Sequence, residues 1–163
     1  MPFNAPFKLG PFSVDSAGRL SPGKPGAAPA FLFLWHDRAV RARLAQADAE
    51  TGRLVLQVAL ARVRSTASAA ADGTLRPRSF TLLHWLENAV PRGWHVGLLA
   101  DHTVWLKADT LVGMPITAVG LVTEITRFAL ELAPFLALMD EVGLTVADPG
   151  PASPGEPALA TAG

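Results

Sequence analysis

Apolar residues recur at every second position through much of the first half of the chain, and at every third or fourth position near its end. Val40, Ala42 and Leu44 alternate with Arg41 and Arg43, and Leu54, Leu56, Val58 and Leu60 alternate with Arg53, Val55, Gln57 and Ala59. Period two puts successive side chains on opposite faces of a strand, so both runs predict strands with one apolar face. Phe31 to Trp35, FLFLW, is apolar at every position. It predicts a strand covered on both faces, or one whose second face meets a partner. His36-Asp37-Arg38 and Asp48-Ala49-Glu50-Thr51-Gly52 separate the three runs as short polar turns, giving an antiparallel meander.

Upstream, Phe12-Ser13-Val14 and Arg19-Leu20 flank a turn ending in Gly18, which predicts a short hairpin after an extended, Pro-rich opening. Ser21 to Ala30 holds three prolines and reads as a loop. Residues 65–76, STASAAADGTLR, read as a flexible connection. A helix opening at Pro77 or Ser79 then carries Leu82, Leu83, Leu86 and Val90, and Pro91-Arg92-Gly93 stops it. Trp94, Val96 and Leu98, then Val104 and Leu106, alternate around Asp101-His102 and predict a second hairpin. After Met114-Pro115 comes a long helix with an inner stripe of Leu121, Val122, Ile125, Phe128, Ala129 and Leu132. Pro134 should kink that helix or start a second one carrying Phe135, Leu138 and Met139, and Gly143 should end it.

Strands and helices are segregated, which predicts an α+β fold: an antiparallel meander with a helix, a second hairpin and a long C-terminal helix packed on the sheet. Residues 1–146 are expected to form one domain, with 1–30 as its Pro-rich N-terminal segment. Residues 147–163 are nearly all Pro, Ala, Gly and Ser, and are expected to stay disordered because they have too little to bury.

Composition sharpens this in four ways. With 50% hydrophobic residues and 17% charged, the chain is on the apolar side of globular. There is no cysteine, which excludes disulfides and thiolate-ligated zinc. No apolar run approaches the roughly 20 residues of a membrane helix, and the opening MPFNAPFKLGPF lacks a signal-peptide pattern, so a soluble, cytoplasmic protein without membrane contact is expected. Net charge is zero, yet residues 1–64 hold nine Lys and Arg against four Asp and Glu, and residues 65–163 hold five against ten. Such a split suits a basic surface for an anionic partner, or opposite halves that attract each other.

Candidate chemistry is sparse. His84 and Glu87 share a helix face at i,i+3, and His95 and His102 lie on or near the second hairpin; together they are the residues a small-molecule enzyme or sensor would use. Spacing fixes no third metal ligand, and an exposed polar helix face explains His84 and Glu87 equally well. There is no GxSxG elbow, and Gly23, Gly26, Gly150 and Gly155 sit beside prolines rather than in a phosphate loop. No catalytic residue, cofactor or metal is assigned, and an enzyme is not expected. Arg41, Arg43 and Arg53, followed by Arg62 and Arg64, form a candidate anion-binding surface, though without the interleaved exposed aromatics of nucleic-acid readers. Trp35, Trp85 and Trp105, with Phe128 and Phe135, are the candidate partner-binding residues, because apolar aromatics left at a surface mark interfaces.

The element order over residues 31–142 resembles that of the type III secretion chaperone-like fold, shared with putative bacterial sensory transduction regulators. The resemblance rests on three strands, the helix FTLLHWLENAV, the hairpin GWHVGLLADHTVWLKAD and the final helix ITAVGLVTEITRFALELAPF. It implies a non-enzymatic bacterial protein, chaperone-like or regulatory, that forms a homodimer and holds another polypeptide on apolar patches.

Overall fold

The computed structural model describes residues 5–62 and 75–141, with side chains described for 5–62 and 81–141. The connection expected before the first helix, the stop at Gly143 and the Pro/Ala/Gly tail lie, apart from residues 75 and 76, outside the described residues.

Two antiparallel sheets and two helices make an α+β fold. The smaller sheet joins β1 (Phe7–Leu9), β2 (Phe12–Val14) and β3 (Leu20–Pro22) in chain order. The expected hairpin is β2–β3, and the opening segment, read from sequence only as extended, supplies a third strand. The larger sheet holds β4 (Ala30–Trp35), β5 (Arg38–Gln46), β6 (Thr51–Arg62), β7 (Trp94–Leu98) and β8 (Thr103–Gly113) in the order β4-β5-β6-β8-β7. β8 rather than β7 returns to pair with β6, because helix α1 (Leu75–Ala89) lies between β6 and β7 and carries the chain past β8's place. Its first turn includes Pro77, so the helix opens slightly before the two positions expected.

The period-two runs are realised as read. Val40, Ala42 and Leu44 face the core from β5, and Leu54, Leu56, Val58 and Leu60 face it from β6. A bulge between Ala59 and Ala61 lets Leu60 and Ala61 both be buried. β4 departs from one expectation: it is an edge strand, not a central one. Phe31, Phe33 and Trp35 lie opposite Ala42, Val40 and Arg38 on the core face, while Leu32 and Leu34 point to the other side.

Helix α2 (Ala118–Glu141) packs Leu121, Phe128, Leu132, Leu136 and Met139 into the same core. It continues through Pro134 as one helix. Val122 does not belong to its inner stripe, for it is 58% exposed. Leu121 and Val122 differ by about 100° around a helix, so only one of them can align with Ile125, Phe128 and Leu132. The start of α2 is built by the small sheet: the Gly18 carbonyl accepts from Ala118 N at 2.9 Å, and Thr117 Oγ1 caps Gly120 N at 3.0 Å. One apolar cluster runs through Phe12, Val14 and Leu20, the large sheet and both helices.

Candidate binding surface

The helix-bearing face of the large sheet is closed by α2, where Trp94 meets Phe128 at 5.0 Å and Phe135 at 6.3 Å between ring centroids. The opposite face has no helix or strand laid over it among the described residues. The pairing register assigns its residues without ambiguity, since directly opposed residues share a face. From β4 come Leu32 and Leu34, opposite Arg41 and Ala39. Arg43 on β5 opposes Val55 on β6, Gln57 opposes Lys107 on β8, and Ala59 opposes Trp105. Leu32, Leu34 and Leu111 are 56%, 69% and 71% exposed there. Leu32 and Leu34 stand together on the edge strand β4, and Leu111 stands apart from them, three strands away on β8.

Its charge is mostly positive, from Arg41, Arg43, Arg53 and Lys107, with Asp109 as the counterweight. Asp109 is committed to Arg53: the guanidinium Nε donates at 2.7 and 2.8 Å and Nη2 at 2.5 Å. Hydrogen bonding to the Asp109 carboxylate, and then the carboxylate's charge, hold the Arg53 pKa above its usual value. Arg53 is therefore an internally paired group, whereas the Arg43 side chain makes no hydrogen bond or ion pair among the described residues. The anion-binding candidates thus share one face but not one role.

Trp105 also lies on this face, half-buried over Gly97 of the neighbouring strand. A Cβ at Gly97 would sit 2.7 Å from the indole, so only glycine lets the ring settle on the backbone. Trp85 is 51% exposed on α1, next to the buried Leu86. Trp35 points to the core side, stacked edge-on against His36, and its Nε1 is buried without a hydrogen-bond partner among the described residues. Phe128 is 4% exposed and Phe135 is half-buried beside it, so both contribute to the core under Trp94. Of the five aromatic candidates, the open sheet face holds Trp105 alone.

The histidine group does not assemble. His84 is on the exposed side of α1, with Nδ1 4.0 Å from Glu87 Oε2; His95 is on the open sheet face opposite Lys107; His102 occupies the β7–β8 turn with φ +65°. Among the described residues, no group of three or more His, Cys, Asp or Glu side chains is placed to hold a metal ion. A cavity of ≈ 320 Å³ lies between the small sheet and β5, lined by Phe12, Leu20, Leu44 and Met114 with Ser21 and Gln46 as its polar side chains. It offers no charged group.

Arg38 was read from sequence only as part of a turn. It is 3% exposed, and its guanidinium donates to the Leu60 carbonyl at 2.9 Å, the His36 carbonyl at 3.3 Å and Asp140 Oδ1 at 3.0 Å. The signal was its phase: Arg38 precedes Val40, Ala42 and Leu44 at the same period-two spacing.

No helix among the described residues is long and apolar enough to cross a membrane. No family model, curated protein or solved structure matches this chain.

Proposed function

We propose that this chain is a non-enzymatic protein-binding module, chaperone-like or regulatory, that acts as a homodimer in the bacterial cytoplasm and holds a polypeptide on the open face of its large sheet. The single observation carrying this reading is that face: exposed Leu32 and Leu34 beside Arg41 and Arg43 at one side, with Lys107 and exposed Leu111 on β8 across it. Apolar side chains give such a surface affinity, and fixed positive charge selects what approaches it. The complementary occupant is a polypeptide segment with alternating acidic and aliphatic residues. The resemblance of the sequence's element order to the secretion chaperone-like fold points the same way.

The test is fluorescence anisotropy with a labelled peptide of alternating Glu and Leu residues. Full-length protein should bind it, more weakly as salt rises from about 50 to 500 mM. Leu111→Ser combined with Arg43→Glu should weaken binding at least about tenfold, the size of a lost apolar contact plus a reversed charge, while Trp85→Ala should leave it unchanged. No binding by the wild type, or equal binding by the double variant, overturns the reading.

A further inference from the structure

β4 has an edge as well as a face, and among the described residues that edge is open. No strand pairs with it on the side away from β5, and no hydrogen bond reaches its backbone there among the described residues. The bond from Leu44 N to the Pro29 carbonyl at 2.9 Å fixes the phase of the β4–β5 ladder. Hydrogen-bonded and non-bonded pairs alternate in an antiparallel ladder. Phe31, Phe33 and Trp35 therefore bond inward to β5, and the N–H and C=O groups of Ala30, Leu32 and Leu34 point out from the open edge.

Proteins protect such edges with charge, proline, bulges or covering segments. Ala30–Trp35 has no charge, no proline and no bulge along its pairing with β5. We infer that β4 pairs antiparallel with β4 of a second copy, with Leu32 on the two-fold axis, to give one continuous ten-stranded sheet. This inference rests on the homodimer part of the functional reading and locates its seam.

The strand is complementary to itself in this register. Leu32 meets Leu32 of the other copy, and Ala30 meets Leu34, so all three outward-pointing residues pair, making about six hydrogen bonds. An axis at Phe33 would leave Ala30 unpaired. A two-fold axis normal to the sheet keeps both open faces on one side, and the exposed Leu32 and Leu34 of the two copies merge into one patch. Phe31 comes opposite Phe33 on the helix side, adding an aromatic pair from each half. The nearest cations, on the two β5 strands, are separated by three strand spacings, about 14 Å, beyond the screening length at physiological salt. An uncharged edge thus meets its own copy without like-charge repulsion, whereas an acidic partner strand gains nothing from β4 itself.

The chain contains no cysteine, which makes the register directly readable. In the full chain, Leu32→Cys should oxidise to a disulfide-linked dimer, because directly paired Cα atoms lie about 5.5 Å apart, within disulfide range. Leu34→Cys alone should not cross-link to itself, whereas mixed with Ala30→Cys it should give the mixed dimer. In sedimentation equilibrium the wild type should be two chains. Leu32→Pro, whose missing N–H faces the open edge, should keep the native circular dichroism and raise the dimer dissociation constant by about 100-fold. Leu32→Lys, which sets two ammonium groups on the axis, serves if the proline variant misfolds. A wild-type dimer that Leu32→Cys fails to trap places the seam elsewhere and overturns this inference alone. A wild type that stays a single chain overturns both this inference and the homodimer reading. Equal cross-linking at all three positions shows random collision and overturns the register.

Discussion

The two faces of the large sheet are made by the same strands from alternate residues, and they obey different rules. On the helix side Val40, Leu60, Val104 and Leu106 are fully buried, and even the arginine at position 38 is sealed in with its donors satisfied. On the other side leucines stand exposed beside arginines, and Arg53 reaches in from solvent to the largely covered Asp109. The helix side specifies the fold, and the open side is free to specify what the fold touches.

Paired substitutions across one strand put the largest strain on that contrast. Leu106→Ala on the helix side should cost about 2–5 kcal/mol in urea denaturation, from lost burial and the cavity left behind. Leu111→Ala, on the same strand but facing out, should stay within about 0.5 kcal/mol. Similar losses at the two sites would mean that something covers the open face. Arg38 gives the next largest effect. Arg38→Ala should cost about 2–3 kcal/mol, because the Leu60 carbonyl loses its buried partner along with the packing of the arginine stem. Asp140→Ala removes the same ion pair from its 60% exposed end, where water can replace the carboxylate, and should cost less than Arg38→Ala. A reversed order would make the charge pair, rather than the buried donor, the important part.

The smallest effect concerns acid. Asp48 accepts from Glu50 N and Thr51 N at 2.9 and 2.7 Å, and Asp101 accepts from Thr103 N at 3.0 Å. These backbone hydrogen bonds, from Glu50 and from Thr103 first, lower both carboxyl pKa values in the folded protein. A lowered folded-state value means the stabilisation is present above the unfolded carboxylate pKa and is lost as pH falls through the folded one. The urea midpoint should therefore drop below about pH 4, and Asp48→Asn with Asp101→Asn should flatten that drop. The difference between Leu106→Ala and Leu111→Ala should not change over the same range, because neither face depends on those turns.

The sequence showed one of these faces better than the other. Strict alternation in β5 and β6 named the core-facing residues and turned Arg41 and Arg43 outward, because period two has only one solution once a face is apolar. FLFLW alternates nothing, so its pattern fits a central strand as well as an edge, and only the sheet order decides. Trp105 was legible as out of phase with Val104 and Leu106, yet its seat over Gly97 depends on a register that spacing alone does not fix. Phe128 and Phe135 look like surface candidates only until Trp94 is placed between them and the sheet. Arg38 was hidden by its charge, since a basic residue beside His36-Asp37 reads as turn until its phase with Val40 is counted.

Helix α2 is held at its first residue by the carbonyl of Gly18 and near its last by the guanidinium of Arg38. Both holders belong to the first quarter of the chain, about 100 positions earlier. Contacts that distant close late, and they slow folding because a long loop must be ordered before they form. During synthesis both turns are made about 100 residues before the helix they hold, and they wait for it. A nascent chain released a few residues short of Asp140 would have its sheet, but not the latch that closes it.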